Sequence, residues 1–298
     1  MNAKLQMILS MVIFGTISIF VRQIPLTSAE VALFRASIAL VCLLAVQLAQ
    51  GKPPALRGMG RDVLLLVLSG AAMGFNWIFL FEAYRYTTVS VATLSYYFAP
   101  VIVMALCPVL FREKLTLWQV LCFAGSTAGL VLVISPGGLD AGGTHLKGVA
   151  FGLAAAGLYA MVMLLNKGFR RISGIDRTLL QFASAAAVLL PYVLFTGGFH
   201  LEAMRGPGWL NLMCVCLIHT GAAYCLYFSA LRTLPGQETA ILSYIDPLVA
   251  VLVSLTVLHE PVSPLQLLGG AMILAFTLGN EIREKGIGKR EKEMRLPR

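Results

Sequence analysis

Two charged side chains stand within long apolar stretches of the sequence, where a charge needs a partner or a polar cavity. Asp246 precedes Pro247 in the run AILSYIDPLVA. Its carboxylate can bind a cation, carry a proton, or pair with a polar group on a neighbouring helix. Arg35 stands in the run ALFRASIAL. Its guanidinium can hold a carboxylate of a bound molecule or extend toward the nearest polar surface. A structural ion pair of Arg35 with Glu30, or with another acid on the same side, is the favoured interpretation.

Polar and aromatic side chains accompany these charges near the middle of apolar stretches. Aromatic faces can stack on a flat or cationic solute, although Tyr and Trp are also common at membrane interfaces. Tyr96 and Tyr97 lie too deep for an interface, and their separation of about 100° around a helix predicts that only one points to the centre. His219 can line a cavity or be a hydrogen-bonded core group. The candidate cavity residues are Asn76, Trp77, Tyr96, Tyr97, Tyr159, His219, Tyr224, Ser243 and Tyr244.

A proline follows a tyrosine by three residues in two apolar stretches. TLSYYFAPVIV contains Tyr97 and Pro100, and AILSYIDPLVA contains Tyr244 and Pro247. Proline lacks an N–H and frees the carbonyl four residues before it, and inside a membrane that carbonyl needs another partner. We therefore predict a break in each helix. The break either offers a carbonyl to a solute or is a simple kink that helps packing.

The composition indicates an integral membrane protein. Of the 298 residues, 58% are hydrophobic and only 12% are charged, whereas soluble domains carry about 25% charged residues. Because about 20 apolar residues of helix cross a bilayer core, the expected fold class is all-α with ten transmembrane helices. The predicted spans are 5–21, 29–49, 62–82, 88–111, 116–135, 148–167, 177–197, 209–231, 238–258 and 263–281. No catalytic motif occurs, so no catalytic residue, metal or cofactor is expected.

Basic residues are distributed unevenly between the loops that join these spans. Most of the 23 Lys and Arg residues fall on the side that holds both chain ends. Because such residues favour the cytoplasmic side, we expect a multi-pass protein of the cytoplasmic membrane with both termini inside. Residues 286–298 are expected to form a basic cytoplasmic tail that lies against anionic lipid. Nucleic acid is not an expected partner, because the tail has no aromatic residue on which a base could stack.

The sequence also matches itself when Pro100 is aligned with Pro247. The same register pairs scarce residues elsewhere: Tyr97 with Tyr244, Arg85 with Arg232, Glu113 with Glu260, and Gln119 with Gln266. Two halves of five spans follow, 1–138 and 146–285, joined by a glycine-rich segment. Because five is odd, the second half must enter the membrane from the opposite side. Inverted repeats of this kind are typical of secondary transporters.

These features together resemble the drug/metabolite transporter superfamily, specifically its EamA-type bacterial members. The resemblance is carried by IFGTISIFV, ALFRASIAL, EAYRYTTVSVATLSYYFAPVIV and ALRTLPGQETAILSYIDPLVAVLVSLTVLHEPVSPLQLLGGAMIL. It implies two inverted EamA-like repeats and alternating access through a central cavity, and most bacterial members are regarded as exporters. The implied function is secondary transport of a small metabolite, such as an amino acid or an amine, driven by a proton or by exchange.

Two other classes of function remain open at this point. A membrane-embedded enzyme acting on lipid-linked substrates would need acids or histidines clustered at one membrane face, and the sequence offers only scattered ones. A non-transporting scaffold or sensor would have no need of a mid-membrane aspartate. The expected partners are a small-molecule solute and membrane lipids, and the oligomeric state is open between a monomer and a homodimer.

Overall fold

The computed structural model describes residues 2–49, 51, 62–111, 116–134, 143–168, 174–231, 233–234 and 242–295. Within these ranges the chain is helical and forms no strand. A short 3-10 helix at Leu201–Ala203 and a π-helix at Cys214–Ala222 accompany the α-helices. The α-helices are α1 Ala3–Gly15, α2 Ile17–Val21, α3 Ser28–Ala49, α4 Asp62–Tyr86, α5 Val89–Tyr96, α6 Ala99–Phe111, α7 Leu117–Ile134, α8 Gly143–Gly168, α9 Gly174–Phe195, α10 Gly206–Met213, α11 Ala223–Leu231, α12 Ile245–Thr256 and α13 Pro264–Arg295.

Seven helical segments of the described chain are long and apolar enough to cross a bilayer. They are Ala3–Val21, Ser28–Ala49, Val63–Tyr86, Val89–Leu106, Gly143–Asn166, Asp176–Phe195 and Gly206–Tyr227. Three shorter apolar helices, Leu117–Val133, Ile245–Thr256 and Pro264–Asn280, lie where the sequence predicts three more spans. The all-helical membrane fold is thus confirmed, and the total of ten spans stays a prediction.

Two predicted segment boundaries differ from the helices. Residues 135–142 of the predicted joint lie outside the described ranges, and α8 already begins at Gly143. The last helix, α13, continues to Arg295 without interruption, so the predicted tail at 286–298 begins within a helix. The sequence mixes acidic and basic residues there, and such residues favour a helix as readily as a loop.

Helices before residue 135 pack mainly on helices after residue 142. Helix α4 lies against α8 and α9, α3 lies against α9, and α7 lies against α13. The packing repeats when the two predicted halves exchange roles. Helix α11 packs on α1 as α4 packs on α8, and α12 packs on α1 as α6 packs on α8. At the α7–α13 crossing, a Cβ on Gly129 would lie 2.6 Å from the carbonyl oxygen of Gly269. Small residues allow such close crossings in membranes.

The predicted helix breaks lie just before their prolines. Helix α5 ends one residue before Tyr97, which caps it with φ −70° and ψ 4°, and α6 begins two residues later. Helix α12 begins one residue after Tyr244. Pro100 and Pro247 therefore stand in the first turns of α6 and α12, where a missing N–H costs no hydrogen bond. Each proline starts a new helix instead of kinking a continuous one.

Two further helix starts share one hydrogen-bond pattern. The backbone N–H of Thr116 donates to Gln119 Oε1 at 2.7 Å, and that of Ser263 donates to Gln266 Oε1 at 3.0 Å. Each hydroxyl in return accepts the N–H of the glutamine, at 3.3 and 3.2 Å. These are capping boxes, and they occupy equivalent positions when the chain is aligned with itself. Glu113, the aligned partner of Glu260, lies outside the described residues.

Candidate functional site

A cavity of about 440 Å³ lies where the two helix breaks meet. Its volume is in the range of small-molecule sites in proteins. His219 and Pro247 do not belong to its lining. The other predicted site residues all line it: Arg35, Asn76, Trp77, Tyr96, Tyr97, Pro100, Tyr159, Tyr224, Ser243, Tyr244 and Asp246.

A hydrogen bond joins the two breaks across the cavity wall. Tyr97 Oη donates to Asp246 Oδ2 at 2.6 Å, which links the end of α5 to the first turn of α12. Gly15, at the end of α1, lies against the same point, because a Cβ there would be 2.7 Å from the carbonyl oxygen of Asp246. Three helix ends therefore converge at Asp246, which lines the cavity.

Arg35 brings a positive charge to the same cavity. Its side chain is 6% exposed, its Cζ lies 4.5 Å from the ring centre of Trp77, and its Nε donates to Thr220 Oγ1 at 3.1 Å. Within the described ranges no carboxylate lies within ion-pair distance of Arg35. A guanidinium held over an aromatic face keeps its charge and its remaining N–H donors, so Arg35 and Asp246 bring a cation and a carboxylate to the same cavity.

The expected ion pair between Arg35 and Glu30 does not form. Glu30 is fully buried, and its Oε2 accepts from the backbone N–H of Thr27 at 2.8 Å and from the Thr27 hydroxyl at 2.7 Å. Its Oε1 accepts from the backbone N–H of His200 at 2.6 Å. Glu30 closes a capping box at the start of α3, so its oxygens are directed away from Arg35.

Aromatic rings form much of the cavity wall. Tyr96 stacks on Tyr159 with centroids 5.3 Å apart, and it meets Tyr97 edge-on at 5.7 Å. Both neighbours thus line the cavity, although ideal helical spacing predicts only one. Tyr97 follows the last residue of α5 and so departs from the helical angle. On the opposite side, Tyr224 packs edge-on against Phe182 at 5.2 Å.

Two of the predicted polar residues make hydrogen bonds inside the helix bundle. Asn76 Nδ2 donates to the carbonyl oxygen of Ala155 at 2.6 Å, which ties α4 to α8 beside the cavity. His219 is 2% exposed, its Nδ1 lies 3.2 Å from the carbonyl oxygen of Cys214, and its Nε2 lies 3.2 Å from Thr16 Oγ1. His219 is therefore placed as a hydrogen-bonded core group. Within the described ranges no three His, Cys, Asp or Glu residues converge as a metal site would require.

Polar residues at one end of the bundle form a part of the site that sequence reasoning missed. Asn166, in the last turn of α8, and Arg177, in the first turn of α9, both line the cavity. Gln181 lines it too, and its Nε2 donates to Asn166 Oδ1 at 2.9 Å and to Ser69 Oγ at 2.5 Å. The cavity therefore extends toward the end where α8 and α9 meet.

The opposite end is closed by charged groups. Arg22 forms an ion pair with Glu260, and its Nη2 donates to the carbonyl oxygens of Tyr84 at 2.7 Å and Thr87 at 2.9 Å. Glu260 Oε2 also accepts from the backbone N–H of Val89 at 2.8 Å. This network, missed in the sequence, ties the α12–α13 connection to the start of α5 and the end of α4. It lies beyond Tyr84, whose side chain lines the cavity.

The sequence matches a known family over most of its length. The EamA-like transporter family matches residues 1–135 and 146–280. The chain belongs to this family. The predicted membership in the drug/metabolite transporter superfamily is confirmed, and the protein is a multi-pass membrane protein and not an enzyme.

Curated relatives of this EamA-like protein bear the name of transporter. An uncharacterized transporter YxxF of Bacillus subtilis (strain 168) is 32% identical over 294 residues, covering 96% of this chain and 91% of the relative. An uncharacterized transporter of Archaeoglobus fulgidus is 30% identical over 275 residues, covering 91% and 93%. A solved structure titled "Crystal structure of protein" shares the fold with a TM-score of 0.60, at 20% identity, over 94% of this chain and 98% of the other.

Proposed function

We propose that this EamA-like protein is a secondary transporter that moves a small metabolite, such as an amino acid or an amine, by alternating access. The observation that carries the proposal is the Tyr97–Asp246 hydrogen bond at the wall of the 440 Å³ cavity. A carboxylate at membrane depth is costly and usually marks a solute or proton path. Discontinuous helices that meet at such a site are typical of secondary transporters.

The proposed architecture is ten spans in two inverted halves, 1–138 and 146–285. Three observations support it. The family matches two separate segments of the chain, the helix packing repeats when the halves are exchanged, and both halves carry a break before a proline and a capping box at aligned positions. Two similar halves of opposite orientation can exchange conformations, which would open the cavity to each side in turn.

The proposed direction is export across the cytoplasmic membrane. The cavity extends to the bundle end that holds Asn166 and Arg177 and is closed by Arg22 and Glu260 at the other. The uneven distribution of Lys and Arg favours a cytoplasmic position for the Arg177 end and for both termini. The structure would then correspond to a state that loads a solute from the cytoplasm. Asp246 would carry the coupling proton or bind a cationic group of the solute.

Flux measurements in reconstituted vesicles test this function. Purified protein is placed in vesicles with a pH gradient, and radiolabelled amino acids and amines are screened for proton-driven flux and for exchange. We expect flux of at least one solute, and none in empty vesicles. The matched control is Leu252→Ala, because Leu252 is 58% exposed on the outer face of α12 and should tolerate truncation. Well-folded protein that moves no solute, with a stable protein partner found by crosslinking, would favour a scaffold or sensor instead.

A further inference from the structure

A second cavity lies beyond the closed end of the first. It measures about 270 Å³, and its polar lining comes from Arg22, Arg85 and Ser28. No acidic residue belongs to the lining that the structure describes. The Arg85 side chain is 48% exposed, so this smaller cavity reaches the protein surface. Two arginines thus line a small space that opens to solvent.

A thin partition separates the two cavities. Tyr84 lines both of them and is only 5% exposed. Beside it, Phe81 lines the smaller cavity, and the Cζ of Arg35, a residue of the main cavity lining, lies 5.8 Å from the Phe81 ring centre. Arg22 holds the backbone of the partition, since its Nε and Nη2 donate to the carbonyl oxygen of Tyr84 at 3.1 and 2.7 Å. One layer of aromatic rings therefore lies between Arg35 and the outer arginines.

The acids that pair with the outer arginines stand outside the smaller cavity's lining. Arg85 Nη1 lies 3.3 Å from Glu82 Oε1, which also accepts from Ser28 Oγ at 2.6 Å. Arg22 pairs with Glu260. An ion pair as exposed as Arg85–Glu82 contributes little to stability, so an incoming anion can compete for the guanidinium. A planar guanidinium binds carboxylates and phosphates through two parallel hydrogen bonds, and the amino acids among the proposed solutes carry a carboxylate.

We propose that the smaller cavity is a second binding station for a carboxylate group of the transported solute, and that Tyr84 is the partition through which the solute passes. Arg35 is the carboxylate partner on one side of the partition and Arg85 is the partner on the other. Arg22 lies beside Arg85, where Glu260 and the carbonyl oxygens of Tyr84 and Thr87 hold its guanidinium. The role as a station on a transport path rests on the proposed function, whereas the anion selectivity of the smaller cavity does not.

Thiol labelling tests the anion selectivity without a known solute. In protein whose native cysteines are replaced, Val31→Cys places a thiol in the smaller cavity, and Leu201→Cys gives a reference thiol at the same end. Each is treated with an anionic sulfonate and a cationic trimethylammonium methanethiosulfonate. Each rate for Val31→Cys is divided by the rate of the reference thiol with the same reagent. We expect this ratio to be about tenfold higher for the anionic than for the cationic reagent, because charged clefts concentrate counter-ions. Equal rates, or a preference for the cationic reagent, would overturn the anion site.

Arginine substitutions in the same labelling experiment test whether positive charge causes the preference for the anionic reagent. Arg85→Gln in the Val31→Cys background should remove the preference while leaving the reference rate unchanged. A preference that survives both Arg85→Gln and Arg22→Gln would show that the arginines do not cause it. Whole cells and inverted vesicles are both labelled, and the preparation in which Leu201→Cys reacts is the one that exposes this end. The result therefore does not depend on the proposed orientation.

A thiol in the main cavity tests the partition. Met73→Cys lines that cavity and should react slowly with reagent added at the Leu201 end. Tyr84→Ala should speed this reaction about tenfold or more, whereas Tyr84→Phe, which keeps the ring, and Tyr86→Ala, which lies outside both linings, should not. No change with Tyr84→Ala would overturn the partition. Because the readout is a labelling rate, absence of flux in vesicles would defeat the transport proposal and leave this result standing.

Discussion

The residue with the sharpest expected effect is Asp246. Asp246→Asn keeps the size of the side chain and its acceptor for Tyr97 Oη but cannot release a proton. We expect proton-driven flux in vesicles to be abolished while exchange of solute persists. Unchanged dependence of flux on the pH gradient would remove Asp246 from the coupling step. Tyr97→Phe is the matched variant, since it removes only the hydrogen bond to the carboxylate, worth about 2 kcal/mol, and should leave proton coupling in place.

Arg35 should determine how well carboxylate-bearing solutes bind. Arg35→Lys keeps the positive charge but loses the planar fork and the hydrogen bond to Thr220. We expect the affinity for such solutes to fall about tenfold, the equivalent of one charge-assisted hydrogen bond. Competition by amines that lack a carboxylate should change much less. The measurement is inhibition of flux by each class of solute, and equal losses for both classes would contradict the assignment.

The sequence singles out the charged site residues because charge is scarce inside apolar stretches. Asp246 and Arg35 both line the cavity, whereas Asn166 and Gln181 escape notice because polar residues are common near helix ends. The wrong prediction of Glu30 as the ion-pair partner of Arg35 has a different cause. Thr27 and Glu30 have the spacing of a capping box, a signal that assigns the acid to the start of α3. When this capping signal is not considered, an ion pair between the buried glutamate and the buried arginine is the expected arrangement.

At the scale of the helix, the two capping boxes should contribute about equally to stability. Thr116→Ala and Ser263→Ala each remove a hydroxyl that accepts a backbone N–H at the start of α7 or α13. We expect each variant to lower stability by about 1 kcal/mol, measured by thermal unfolding in detergent. Thr256→Ala is the control, because its hydroxyl bonds only the carbonyl oxygen of Leu252 on an exposed face. A control loss as large as the other two would contradict the capping argument.

The crossing of α7 and α13 depends on the absence of a side chain. A Cβ on Gly129 would meet the backbone of Gly269 at 2.6 Å, so Gly129→Ala must push the helices apart. We expect a loss of about 1–3 kcal/mol, as for other overpacked sites, again by thermal unfolding. Gly157→Ala should be neutral or stabilising, because no atom lies within 4 Å of the added Cβ. The opposite ranking would show that this crossing tolerates separation.

Helix positions follow from hydropathy, but their ends do not. The apolar runs predict where the long helices lie, and Pro100 and Pro247 predict that two of them are interrupted. Whether a proline kinks a helix or starts one depends on the preceding turn, which hydropathy does not describe. The π-helix at Cys214–Ala222 has no composition of its own and can be found only from the hydrogen bonds of the folded chain.

For the molecule as a whole, the inverted arrangement predicts opposite sidedness for aligned residues. Thr116→Cys and Ser263→Cys occupy equivalent positions in the two proposed halves. We expect Ser263→Cys to react with a membrane-impermeant thiol reagent in whole cells, and Thr116→Cys to react only in inverted vesicles. Reaction of both from the same side would end the inverted arrangement. Leu201→Cys serves as the control for the side that holds Arg22 and Glu260.

The π-helix decides where the cation of Arg35 lies. Thr220 Oγ1 donates to the carbonyl oxygen of Val215, five residues earlier, at 2.8 Å and accepts from Arg35 Nε at 3.1 Å. With the ordinary α pitch, the same hydroxyl would reach back only four residues and face another direction. Deleting one residue from this stretch would therefore move the Thr220 hydroxyl away from the Arg35 guanidinium, with almost no change in the hydropathy of the segment. The position of the positive charge in the cavity thus depends on how tightly this helix is wound.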